Sequence, residues 1–129
     1  MKKLITFLFL LSVAYAQNSW VNISVQTDQY AGETSWEIYE GTNLVASNPM
    51  YQSNSYEETL IFLDEGSYSF VIYDSFGDGI CCSYGEGWFG LSNECTLQNY
   101  VYDFDGATQT VYFDLLACPP PAEGCTDTE

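Results

Sequence analysis

The chain has 129 residues, of which 18 are acidic, two basic and none histidine, giving a formal charge of −16 at pH 7. Recognition of phosphate and sulfate rests on Lys and Arg, so this balance excludes nucleic acid, heparin-like polymers and anionic membrane surfaces as partners. It also removes most acid–base, oxyanion and phosphoryl machinery, and the chain reads as a non-enzyme.

The first segment carries Lys2 and Lys3, an apolar run over 4–15 and the small-x-small site Ala14-Tyr15-Ala16. That is the pattern of a signal peptide covering residues 1–16. The run is too short to span a bilayer, so secretion to the outside or to the cell surface is expected, without membrane insertion. Processing removes both basic residues and leaves a mature chain whose side chains offer no positive charge.

Residues 17–117 read as one domain. From Trp20 the sequence alternates, with Val21, Ile23 and Val25 on one face against Asn22, Ser24 and Gln26, which predicts a half-buried strand over 20–26. A polar turn holding Asp28, Tyr30 and Glu33 leads to a strand over 35–40, with Trp36 and Ile38 on one face. Short strands follow at 44–47 and 57–63. The strand at 67–73 sets Tyr68, Phe70 and Ile72 against Ser69, Val71 and Tyr73, rich in the aromatic and β-branched residues that strands favour. Further strands are expected at 86–92, 95–103 and 109–116, with Val111, Phe113 and Leu115 facing inward. About eight short strands separated by Gly, Asn and Asp turns predict an all-β antiparallel sandwich, jelly-roll-like. Pro119, Pro120 and Pro121 open a stiff linker, assigned to residues 118–129 together with the start of an acidic repeat.

Between the strands at 67–73 and 86–92 lies a loop dense in glycine, containing Asp74, Phe76, Gly77, Asp78, Gly79, Cys81, Cys82, Tyr84 and Gly85. Glycine at this density allows positive φ and close backbone approach, so a folded loop is expected. Its first residues invite comparison with the calcium loop of helix–loop–helix proteins. Phe76 and Gly85 stand where that motif places side-chain oxygens, however, and flanking helices are absent, so it is not that motif. A sandwich site can still take ligands from several loops at one end. Asp74 and Asp78, joined by Asp28 and Glu33, would give Ca2+ part of the six to eight oxygens it requires. The competing reading is that Asp74 and Asp78 only accept turn hydrogen bonds from the loop backbone.

Five cysteines in a secreted chain imply disulfides, and five is odd. A bridge 82–95 or 81–95 would close a loop of about 14 residues and contribute about 3 kcal/mol; a direct Cys81–Cys82 bridge is strained. The absence of histidine argues against zinc and against a catalytic thiol. Tyr30, Trp36, Tyr84, Trp88 and Phe89 are candidates for an aromatic platform beside the acidic loop, of the kind that stacks against an extracellular glycan; alternation sends some of them to the core, and Tyr30, Tyr84 and Trp88 are the ones assigned to the platform.

The segment running from Thr27-Asp28 through Trp36-Glu37-Ile38, then Gly66-Ser67-Tyr68 and Asp74-Ser75-Phe76-Gly77-Asp78-Gly79-Ile80-Cys81, resembles an uncharacterised module of large secreted multidomain proteins in bacteria and some algae. The resemblance covers about residues 20–116. It implies a jelly roll and an accessory, non-catalytic role beside other extracellular domains. Gly124-Cys125-Thr126-Asp127 resembles the start of an acidic repeat found next to that module, which implies that the protein continues beyond Glu129. The expected function is a calcium-stabilised binding or adhesion module whose partner is a glycan or another surface protein. The alternatives are a structural subunit that self-associates into a filament or sheath and a small glycoside hydrolase, which would need only two carboxylates.

Overall fold

The computed structural model describes residues 19–48, 50–97 and 100–119. The expected signal peptide and nearly all of the proline-rich segment lie outside the described residues. Among those residues, no helix is long and apolar enough to cross a membrane.

Ten strands run in order: β1 (Ser19–Gln26), β2 (Thr34–Glu40), β3 (Asn43–Ser47), β4 (Tyr56–Leu63), β5 (Gly66–Asp74), β6 (Cys81–Cys82), β7 (Gly85–Glu86), β8 (Trp88–Ser92), β9 (Tyr100–Tyr102) and β10 (Thr108–Leu115). A 3-10 turn at Ala31–Glu33 precedes β2. Eight strands form two antiparallel four-stranded sheets, ordered β4-β1-β8-β9 and β10-β5-β2-β3, while β6 and β7 make a small hairpin of their own. Between the two large sheets the chain crosses after β1, β3, β4 and β9 and, by way of the β6–β7 hairpin, between β5 and β8, and it stays in one of them only across the β2–β3 and β8–β9 hairpins. Such repeated crossing is the jelly-roll habit, and the expected sandwich is what forms.

The period-two pattern decides which side chains meet between the sheets. Val21, Ile23 and Val25 of β1 and Phe89 and Leu91 of β8 face Trp36, Ile38, Phe70, Ile72, Phe113 and Leu115 across the core, all nearly inaccessible. The Phe70 and Phe89 rings stack across the gap with centroids 5.4 Å apart. The indole N–H of Trp36, wholly buried, donates to the Tyr51 hydroxyl at 2.6 Å, so no polar atom is stranded at the centre.

The strand expected at 95–103 is cut to Tyr100–Tyr102. Asn93 is the cause. Its side-chain oxygen accepts the amides of Cys95, Thr96 and Leu97 at 2.7–3.0 Å, and its side-chain nitrogen donates to the Trp20 carbonyl. Three amides gathered on one carboxamide bend the chain into a turn and leave nothing for a ladder at 95–97.

The expected bridges from Cys81 or Cys82 to Cys95 do not form. Cys95 pairs with Cys118, and Cys81 with its neighbour Cys82. The turn at Asn93 faces the segment after β10. That segment crosses the first sheet at Trp20, whose indole N–H donates to the Pro119 carbonyl at 2.8 Å. Cys118, assigned by sequence to the linker, is therefore 1% exposed. Linking positions 23 apart in sequence contributes about 3 kcal/mol by restricting the unfolded chain. Persistent disulfides imply an oxidising compartment.

Candidate metal centre

The strand register builds the site at one end of the sandwich. Thr34, first residue of β2, pairs with Asp74, last residue of β5. Glu33 precedes Thr34, so it sits beside the end of β5, and its carbonyl accepts the Ser75 amide at 3.0 Å. Two acids far apart in sequence, Glu33 and Asp74, thus become neighbours through an antiparallel pairing.

Asp74 then shapes the loop. It is 4% exposed; its Oδ1 accepts the Phe76 amide at 2.9 Å and its Oδ2 the Gly79 amide at 2.5 Å. The carboxylate curls residues 75–79 around itself and returns Asp78 to the same spot. The turn hydrogen bonds weighed against the metal are therefore real for Asp74, and they are also what creates the cluster. Glu33, Asp74 and Asp78 each bring a carboxylate oxygen within 4.8 Å of the others.

Asp28 stays outside this trio. It is buried and its Oδ1 accepts the Tyr30 amide at 2.8 Å, so it orders the first loop while its charge is still felt by the other acids. Glu33 is held above its ordinary 4.5 by partial dehydration and then by the fields of Asp74, Asp78 and Asp28. Asp78 is held above its ordinary 3.8 by partial dehydration, by its hydrogen bond with the Asp74 carboxyl, and by the charges of Asp74 and Asp28.

The sign of the pH dependence follows. Both acids bind a proton more readily folded than unfolded, so protonation favours the fold. Their contribution is complete below the ordinary values and disappears as pH rises through the raised ones. In chelator, the protein is expected to melt at a higher temperature near about pH 5 than near about pH 7.5. A melting temperature that only falls across that interval on acidification would show that the three charges do not repel.

Tyr30 and Tyr84 come together, as expected, with ring centroids 5.2 Å apart and planes at 76°. Trp88 lies elsewhere, packed against Tyr56 with centroids 5.7 Å apart, because its place in β8 sets it opposite Gln26, whose other neighbour is Tyr56. Phe76 carries no signal in the sequence, yet, exposed in its loop, it lines a cavity of about 220 Å3 together with Tyr30, Glu33, Asp78 and Tyr84. Larger hollows of about 290 and 430 Å3 border Tyr112, but Asp114 is the only carboxylate lining either. The acidic end of the sandwich is where charge, aromatic surface and concavity coincide.

Three carboxylates so close, with no Lys or Arg in the chain beyond Lys3 and no His at all, can hold a metal ion. Comparison of the chain with family models, with curated proteins and with solved structures gives no match in any of the three.

Proposed function

We propose that this chain is a non-catalytic extracellular binding module whose loop end is held together by calcium, and that it serves as an accessory part of a larger surface protein. The carrying observation is the trio Glu33, Asp74 and Asp78, within 4.8 Å and without a cationic side chain to offset it.

Calcium suits this set better than other common ions. All the donors are hard oxygens, and no Cys or His belongs to the cluster, as softer transition metals prefer. The ion would take three carboxylates and complete its shell with backbone carbonyls and water. Asp74 already accepts one amide on each oxygen, and an ion would take over the remaining capacity that it shares with the Asp78 carboxyl. A bound ion would join the start of β2, the end of β5 and the tip of the loop, three points that otherwise repel one another. It would also fix the wall of the neighbouring cavity, since Glu33 and Asp78 belong to both. The chain's lack of His, and of Lys and Arg beyond the leader, supports a binding role over catalysis.

Thermal melting in calcium and in chelator tests the reading. At a hundredfold excess over the dissociation constant, calcium is expected to stabilise the fold by about 2.7 kcal/mol. Asp78→Ala should abolish most of that rise while the protein still folds. Identical melting curves in calcium and chelator for the unmodified chain would remove the metal.

A further inference from the structure

We propose that the cavity between Tyr30, Phe76 and Tyr84 binds a small methylated ammonium cation. The shape of the aromatic wall comes first. A sugar ring stacks on an open, flat aromatic face, whereas Tyr30 and Tyr84 meet at 76° and leave a right-angled corner. Phe76 supplies a third side. Such a corner fits a compact group contacted from several directions at once.

The exposure of these rings needs an explanation. Tyr30 is 45% exposed, Tyr84 49% and Phe76 75%, and the three line one cavity. Clustered exposed apolar surface marks a binding site more often than an accident of packing. The corner is also preformed. The Asp28 carboxylate fixes the Tyr30 amide, and the Gln29 amide donates to the Tyr84 carbonyl at 3.2 Å, which locks the two loops together. Little ordering remains to oppose a ligand.

Charge decides the ligand class. Glu33 and Asp78 line the cavity, so an anion is repelled, a neutral solute without donors gains nothing, and a cation gains most. A methylated ammonium spreads its charge over apolar methyl surface, sheds water readily and is attracted by the faces of aromatic rings. Its methyls match the rings while its charge matches the carboxylates. An ordinary protein could fill such a corner with one of its own lysines, but this chain has none after Lys3. The proposal goes beyond the calcium reading; the two share Glu33 and Asp78, and titration in chelator leaves those carboxylates free for the ammonium.

The test is titration of the full chain, in chelator, with choline, with 3,3-dimethyl-1-butanol (the same shape with carbon in place of the charged nitrogen) and with phosphocholine. Choline is expected to bind at least about fivefold more tightly than its neutral twin. Tyr84→Ala should weaken choline roughly two- to fivefold, and Tyr84→Phe, which keeps the ring, should leave it nearly unchanged. Asp78→Asn should weaken it as well. Phosphocholine should bind less tightly than choline, since its phosphate faces two carboxylates. Equal binding of the neutral twin, tighter binding of phosphocholine, or a choline affinity unmoved by Tyr84→Ala in a protein that melts normally would overturn the proposal. Calcium is read separately by melting, so failure of either reading is distinguishable from failure of the other.

Discussion

Replacing Gly79 with alanine is expected to destabilise the domain by at least about 3 kcal/mol. At Gly79 φ is +79°, where an L side chain costs on the order of 1–2 kcal/mol before any contact is counted. The new Cβ would also overlap the Phe104 carbonyl and lie 2.8 Å from the Asp105 Cα, both of them backbone that cannot rotate away. Moving that carbonyl stretches the bond it accepts from the Ile80 amide, 3.1 Å long, and Ile80 and Phe104 are both fully buried. Gly77→Ala is the matched control. Its φ is +90°, but its Cβ would meet only the Ala107 Cβ at 3.7 Å, an ordinary contact. It should lose only the conformational share, about 1 kcal/mol. For a domain of this size the first change lowers the melting temperature by roughly 15 °C and the second by roughly 5 °C. Equal losses for the two variants would show that the loop does not press on the backbone after β9.

Asp74→Ala is the second large effect, expected at about 3 kcal/mol in chelator. Two opposing terms meet here. Removing the carboxylate strips the acceptor from two loop amides, each hydrogen bond to a charged group being worth about 1.5–3 kcal/mol. It also relieves repulsion toward Glu33 and Asp78, but both lie at the solvent edge, where water and salt screen such pairs. The amides win. Asp78 donates no comparable support, so without metal Asp78→Ala should be neutral or slightly stabilising. Opposite signs for two neighbouring acids, read by urea or thermal unfolding, separate the aspartate that shapes the loop from the one held in it. Asp74→Asn, which keeps one oxygen for one amide, should fall between. If Asp74→Ala unfolds no more easily than Asp78→Ala, the carboxylate is not what curls residues 75–79.

The two variants bear on function in different ways. Gly79→Ala disturbs the fit between the loop and the chain after β9 and spares the carboxylates. Asp74→Ala disperses the carboxylates themselves. Both should lose the calcium-dependent rise in melting temperature, the first because the cluster moves, the second because a ligand is gone.

The all-β sandwich was legible from residue pattern alone. Alternation at Val21-Ile23-Val25 and Tyr68-Phe70-Ile72 specifies both a strand and the face it buries, because the side-chain period of a strand is a local property. The density of Gly and Asp over 74–79 likewise marks a folded loop, since the need for positive φ is written residue by residue. Glu33, Asp74 and Asp78 were legible as acids able to share an ion, though nothing local said which acids would. The register of β2 against β5 decided it, placing Glu33 beside Asp74 and leaving Asp28 turned toward the Tyr30 amide. Disulfide partners were illegible for the same reason. Cys118 reaches Cys95 only because the chain after β10 recrosses the first sheet at Trp20, and spacing in sequence carries no record of that path. Phe76 had no signal either, since one phenylalanine in a loop is a cavity wall only once Tyr30 and Tyr84 stand across from it. Period, turn chemistry and charge are properties of neighbours along the chain, and the sequence determined them. Which loops meet at the end of the sandwich depends on how the strands pair over long separations, and only the tertiary structure decided that.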